Sequence, residues 1–549
     1  MVMRGMKDLS KKINFWEIFF FAILFIFSSF LMWKTFRVNS SGNMQVATRV
    51  WSDFAATIPL IRSFSYGSNF PIQYPIFAGP PIRYHFVFFA VVGFLEKIGL
   101  RIDWALNGLS VLGFFLLCFV IYLVGKTVFK SRSVGILSVI LFLFNGSFGF
   151  LEFFKRHPLS LNTFTDIIKN TEFSSFGPYD GKIVSAFWSL NIFTNQRHLS
   201  LAYASFIFLV LSIFYFSKHP KKFTWTLSLL LGIFLGLFPF IHLAVFAMMG
   251  IAIFTFFILY PKIRVKLIVL GLIAITLAVP QYFYMGKSAN QTELFNPGYL
   301  IGNKTPFGIL TYWIMNLGIG LLLAPVGFIF AKRSQRKVFL PFLILFLVGN
   351  LFRFSAEVAA NHKFFNLFVI GMNFYVALTL VKIWRVKIFG KIAAILLLIP
   401  LTLTGIIDFF PIVNDRHIEL LDYPNDPKVS FIVENTDPDS TFLNSQFLYH
   451  PASVAGRKIF MGWPYFPWSA GYDTHERGQK LDALYSSNNK VFVCNLLLQS
   501  NIDYVTVQDT SNDRDFPDIN IDFFEQNFRL IYKDSESEFR IFDVSSSCR

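Results

Sequence analysis

Eleven apolar stretches punctuate the first three quarters of the chain, near 14–33, 105–125, 134–151, 200–217, 224–240, 242–260, 267–285, 309–330, 338–352, 365–381 and 392–410. A helix rises about 1.5 Å per residue and the hydrocarbon layer is about 30 Å thick, so these lengths predict membrane spans. The pattern therefore predicts an all-α polytopic membrane domain over 1–411, with long outer loops at 34–103 and 152–199. The stretch 84–100 is also apolar. Counting it as a span would put the following basic turn on the opposite side and reverse every later loop, so it is read as an amphipathic helix on the outer surface. Past residue 412 the pattern changes. Short alternating runs at 503–507 and 539–542, with helical stretches near 476–487 and 518–527, predict a C-terminal extracytoplasmic α/β domain over 412–549.

Composition agrees with the pattern. The chain is 54% hydrophobic and 15% charged, against about 25% charged in an average soluble domain. The net charge of +16 divides into +25 for residues 1–411 and −9 for 412–549. A basic membrane part with an acidic tail is what insertion produces, and nucleic acid drops out as a partner. Lysine and arginine collect at Arg4/Lys7/Lys11/Lys12, Lys126/Lys130/Arg132, Lys218/Lys221/Lys222, Lys262/Arg264/Lys266, Lys332/Arg333/Arg336/Lys337 and Lys382/Arg385/Lys387/Lys391. With eleven spans and a cytoplasmic N-terminus, all six clusters fall on the cytoplasmic side. The first apolar stretch is too long for a signal-peptide core and reads as a retained span of a plasma-membrane protein. Of three cysteines, only Cys494 and Cys548 offer a bridge.

The same topology sorts the acids. Ten of the twelve carboxylates before residue 412 fall in or beside outer segments, leaving Asp8 and Glu17 as the exceptions. Asp53 is the first of them. It stands just past span one in a loop rich in Pro, Gly and aromatics, where a lone carboxylate suits a general base or metal ligand, or simply a helix cap. A few cations break the positive-inside rule: Arg197 in Asn195-Gln196-Arg197-His198, Arg353 in Arg353-Phe354-Ser355-Ala356-Glu357, and Lys363 in Asn361-His362-Lys363. They could stabilise developing phosphate charge, or snorkel to headgroups from span ends. His242 lies at an outer turn, where an interfacial structural role competes with a functional one. In the tail, the run from Gly462 to Arg477 offers Trp463, Trp468 and Arg477 for a sugar face and its hydroxyls, or for the packing of a small core.

The long first outer loop with an early acid, the Pro-Gly-aromatic stretch opening a surface helix, and a span ending in the turn Gly125 to Lys130 resemble the GT-C superfamily. Those are integral-membrane glycosyltransferases that use lipid-phosphate sugars, among them protein O-mannosyltransferases and lipid A aminoarabinose transferases. The run Phe77-Ala78-Gly79-Pro80-Pro81-Ile82-Arg83-Tyr84-His85-Phe86 is similar to the Phe-Ala-Gly-x-x-Ile-Asn-Tyr-Tyr-Tyr-Phe stretch of prokaryotic membrane proteins named for their tyrosine triplet, with Arg83 and His85 replacing Asn and the middle Tyr.

The resemblance implies a polyprenyl-phosphate sugar donor in the membrane lipid, an extracytoplasmic acceptor of unknown class, and Asp53 as base. It places Arg83, His85, Asp180, Asn195, Arg197, His198, His242, Arg353, Glu357, His362 and Lys363 among the substrate-binding candidates. Superfamily members often have a second acid beside the first. Here Ser52 and Phe54 flank Asp53, so a divalent cation, Mg2+ or Mn2+, stays open and no metal ligand is assigned. Asp180 in Pro178-Tyr179-Asp180-Gly181-Lys182 supplies a second acid only if the fold brings it near. No phosphate-cradling Gly-x-x-x-x-Gly-Lys loop, His-Glu-x-x-His or Gly-x-Ser-x-Gly occurs. The rival readings are a transporter or flippase for a lipid-linked sugar, which would need ionisable groups deep in the spans, and a catalytically inactive scaffold.

Overall fold

The computed structural model describes residues 14–176, 182–286, 288–289, 293–509 and 515–548. The expected basic cluster at Arg4 to Lys12 and the candidate Asp180 lie outside the described residues. The main helices are α1 (Phe15–Thr35), α2 (Trp51–Ser65), α3 (Val87–Lys97), α4 (Ile102–Val128), α5 (Arg132–Leu143), α6 (Leu199–Lys218) and α7 (Trp225–Gly236). They continue with α8 (Pro239–Leu259), α9 (Arg264–Met285), α10 (Pro306–Leu317), α11 (Gly320–Phe330), α12 (Arg333–Leu351), α13 (His362–Trp384) and α14 (Lys387–Val413).

Each of the eleven apolar stretches contains a helix. Eight of these helices (α1, α4, α6, α8, α9, α12, α13 and α14) are long and apolar enough to cross a membrane. Three expected spans take another form. At 12 residues, α5 and α7 reach only about 18 Å each. The stretch 309–330 is a pair, α10 and α11, bent by 84°. Gly318 makes that bend at φ +58°, with its missing Cβ facing the Gly146 carbonyl at 1.8 Å, so any side chain would collide with backbone. Local sequence sets the starts. Asn14 and Glu17 form a capping box on α1, while Ser131, Thr224 and Thr305 cap α5, α7 and α10.

Helix α13 is the axis of the bundle. Its apolar window is 94% buried, and α5, α11, α12 and α14 pack around it. One end of the bundle gathers the basic turns. Lys126 and Arg132 pair with Glu17 at 2.6 and 3.3 Å, Gln335 donates to the Val128 carbonyl at 3.0 Å, and Lys337 donates to the Leu259 carbonyl at 3.0 Å. Lys266 reaches the Phe223 carbonyl at the same end.

The other end carries the first loop and the tail, which share one buried core. It runs from Phe36 to Leu106 and resumes from Val429 to Val544. The hairpin β1 (Phe36–Val38) and β2 (Met44–Ala47) is completed by β5 (His417–Leu420), which leaves the last span and pairs antiparallel with β2. A second hairpin joins β3 (Gln73–Tyr74) to β4 (Phe77–Pro81). The tail is α/β. Its five-stranded mixed sheet has the order β7-β6-β8-β10-β9, with β6 (Thr441–Leu443), β7 (Lys458–Ile459), β8 (Tyr504–Val507), β9 (Arg529–Lys533) and β10 (Arg540–Asp543). Helices Thr474–Ser486 and Ile521–Asn527 fall where the alternating pattern predicted them, and Cys494 is bonded to Cys548.

Loop and tail are also tied by charge. Arg62 of α2 meets Glu96 of α3 at 3.4 Å and Asp422 of the tail at 2.5 Å, with its guanidinium 4.3 Å from the Tyr66 ring centre. The surface helix expected over 84–100 is α3, packed against α2 and α4.

Candidate functional site

Asp53 lies in the first turn of α2. The usual work of an acid there is to cap free backbone N–H groups, but α2 has no side-chain cap; in the turn before it, Asp415 of the tail accepts from the Arg49 N–H at 2.8 Å and from the Thr48 hydroxyl. Among the described residues no donor hydrogen-bonds the Asp53 carboxylate. Burial disfavours its charge and pushes it up to about 6, while the Lys363 ammonium pulls the other way. Tyr74, Tyr84 and Tyr449 all lie within the field of this carboxylate. Tyr449 is fixed there, its ring 4.1 Å from that of Trp51 and its hydroxyl donating to the Trp51 carbonyl at 2.5 Å.

Lys363 opens α13, so the axis of the bundle carries a cation up to Asp53. Three histidines from separate elements gather in the reach of that cation. His85 comes from the turn before α3, His198 from the start of α6, and His242 from the kinked first turns of α8, where its backbone is non-helical at φ −169° and ψ 97°. The Nε2 atoms of His85 and His198 are 2.6 Å apart, and the rings of His85 and His242 stack at 4.5 Å and 11°. His198 and His242 are 3% and 1% exposed. Burial, then Lys363, pushes His198 down to about 3, and burial with the neighbouring histidines holds His85 well below its usual value, so these rings are neutral.

The structure thus brings Asp53, His85, His198, His242 and Lys363 together. His362 sits beside them on α13, its ring nitrogens 3.4 Å from Gln196 Nε2 and 3.2 Å from Asn366 Nδ2. Asn195 donates to the Asn191 carbonyl at 3.2 Å, and its Oδ1 is buried with no partner among the described residues.

Other candidates are occupied elsewhere. Arg197 is 1% exposed and turns into the core, donating to Thr194 O at 2.7 Å, Met32 O at 3.2 Å and Thr35 Oγ1 at 2.6 Å. Arg83 donates to the Gly471 carbonyl and lies 4.8 Å over the Tyr472 ring. Arg477 is clamped between Phe77 and Phe460, at 4.1 and 4.4 Å, and donates to Ala78 O at 3.0 Å. Both arginines staple β4 and its surroundings to the tail. Arg353 donates to Ser355 O at 2.9 Å and to Ala356 O, closing its own loop, and Glu357 accepts from the Ala359 N–H at 2.9 Å. Trp463 packs on Phe447 at 5.8 Å and Trp468 lies 6.1 Å from Tyr465.

Sequence reasoning missed Tyr74, Tyr84 and Tyr449. Tyr84 stands beside His85 in the motif that was read, but Tyr449 comes from the tail and carries no local signal.

No family profile matches the sequence, and no curated protein matches it. Solved structures overlay on it weakly. Two crystal structures of the Archaeoglobus fulgidus oligosaccharyltransferase, one tethered with an acceptor peptide containing the NVT sequon and one in the apo form, each give a TM-score of 0.44 at 13% identity. They cover 96% and 95% of this chain and 74% and 73% of that chain. The Archaeoglobus fulgidus enzyme in complex with an inhibitory peptide and a dolichol-phosphate gives 0.44 at 11% identity, covering 96% and 74%. At these values the overlay is a likeness only, and the functional reading rests on the residues themselves.

Proposed function

We propose that the chain is a membrane glycosyltransferase moving a sugar from a polyprenyl-phosphate carrier to a hydroxyl acceptor outside the cytoplasm. The observation that carries this reading is Asp53: an uncapped, unbonded, part-buried carboxylate facing Lys363. Held near 6 by burial, Asp53 is ionised at neutral pH yet basic enough to take a proton. In the reaction Asp53 removes the acceptor's hydroxyl proton as that oxygen bonds to the anomeric carbon. The bond from this carbon to the phosphate oxygen breaks, and the electron pair leaves with the lipid phosphate. Lys363 meets the charge that develops there.

Sidedness is supported by two features. The basic turns collect at the opposite end of the bundle, as the positive-inside rule requires of a cytoplasmic end. The Cys494–Cys548 bond in the tail fits an oxidising compartment. A transport path would call for ionisable groups deep in the spans, whereas Glu17 is closed by Lys126, Arg132 and Tyr122 at the basic end, and His242, Lys363 and Asp408 stand in the first or last two turns of α8, α13 and α14.

The test is to supply radiolabelled polyprenyl-phosphate hexose to membranes holding wild type or Asp53→Asn and follow label leaving the lipid fraction. Transfer by wild type alone is expected. Equal transfer by both removes the base.

A further inference from the structure

We propose that His85, His198 and His242 form a three-imidazole binding site for a Zn2+-class metal ion beside Asp53. The three rings are the one group of three or more His, Cys, Asp or Glu side chains among the described residues whose ligand atoms converge, all within 4.8 Å of one another.

The geometry fits such an ion after small rotations. Zinc binds imidazole nitrogen at about 2.0–2.1 Å in tetrahedral sites, which sets ligand nitrogens about 3.4 Å apart. The cluster brackets that spacing, with its closest nitrogens at 2.6 Å and its widest within 4.8 Å.

A buried polar atom also asks for an occupant. His242 Nε2 is buried with no hydrogen-bond partner among the described residues. Leaving such a group buried and unpaired is unfavourable, and ligation removes that penalty. Ligation through His242 Nε2 gives up one contact, the Val245 N–H to Nδ1 at 3.4 Å, which lies near the outer limit of a hydrogen bond.

The donor set selects the ion. Three neutral nitrogens and no oxygen suit Zn2+, and Co2+ as its spectroscopic stand-in, whereas Mg2+ and Mn2+ take carboxylate, carbonyl and water oxygens. Phe88 and Phe89 pack on His198 with ring centres 6.3 and 5.3 Å away, giving the apolar surround that holds such ligands in place. Lys363 opposes a bound cation, and the Asp53 carboxylate offsets it. Three protein ligands leave the fourth position of a tetrahedral ion open, as in catalytic rather than structural zinc sites.

Metal binding is read without any substrate, so its outcome is independent of whether sugar transfer occurs. The full chain, purified in detergent without a polyhistidine tag, is stripped with chelator, equilibrated with Zn2+ and assayed for metal by atomic emission; Co2+ absorption reports geometry. About one Zn2+ per chain and a tetrahedral Co2+ spectrum are expected. His198→Ala and His242→Ala should each weaken binding at least about 10- to 100-fold, the loss seen even for outer-shell partners. His85→Gln, at a half-buried position, does the same without opening a cavity, and exposed His475→Ala does not. Absence of stoichiometric Zn2+ overturns the proposal, as does binding unchanged in a variant lacking all three histidines. Displacement of Zn2+ by equimolar Mg2+ or Mn2+ overturns the choice of ion.

Discussion

The two ends of α2 handle a charge under the protein surface in opposite ways. At its C-terminal end, Arg62 is 1% exposed and answered by Glu96, Asp422 and the Tyr66 ring. At its N-terminal end, Asp53 has no hydrogen-bond donor among the described residues, only the field of Lys363, which also reaches His198 and His242. The first cluster is ion-paired through Arg62 Nη2, with Nε and Nη1 buried without a hydrogen-bond partner among the described residues, and it joins α2, α3 and the tail. The second differs in having no ion pair or hydrogen bond to its carboxylate among the described residues, and the proposed base is argued from that difference.

Substitutions should separate the two. Asp53→Asn removes the proposed base and should lower transfer about 10²- to 10⁴-fold. The melting temperature at neutral pH should rise, since no hydrogen bond is lost and a charge disfavoured by burial is removed. Arg62→Met should do the reverse. It leaves Glu96 and Asp422 buried without their cation, a change that costs about 3–5 kcal/mol in comparable pairs. Thermal unfolding in detergent reads that loss, and transfer per folded molecule should be retained.

The pH dependence sharpens the contrast. Transfer needs ionised Asp53, so activity should fall as pH drops through about 6. Stability runs the other way for this group. Its folded value lies above the unfolded value of about 3.9, so the folded chain binds the proton more tightly. Stability from Asp53 is therefore full below about 4 and lost as pH rises through about 6. Asp53→Asn should flatten that segment of the stability profile. The smallest effect is on the pH profile of Lys363→Met, which loses the charge holding Asp53 down as well as the cation proposed to meet the leaving phosphate. The acid limb of any residual activity should move up by about one unit.

Much of this was legible in the chain. The apolar stretches located every spanning helix, and the basic turns predicted one common end. Breaks inside apolar stretches were hidden, because Phe144-Asn145-Gly146 and Leu317-Gly318 interrupt helices without interrupting hydrophobicity, whereas the turn at Phe238–His242 was legible. Asp53, His198, His242 and Lys363 stood out singly. Their convergence with His85 depends on contacts between residues more than a hundred positions apart, which spacing does not encode. Arg197 shows the same limit from the other side. A cation at a span end reads alike whether it faces a phosphate or, as here, turns inward to Thr35 and Met32. The union of first loop and tail in one core was equally invisible, since β5 pairs with β2 across the whole membrane domain.

Sidedness bears most directly on the account, because a lipid-linked sugar consumed outside the cytoplasm requires Asp53 to be on that side. Ser52 is exposed beside Asp53, and Cys118, the remaining free thiol, is buried. A Ser52→Cys chain in intact cells, treated with a membrane-impermeant maleimide, should be labelled without permeabilisation. Labelling only after the membrane is opened would place Asp53 on the cytoplasmic side and contradict the proposed reaction.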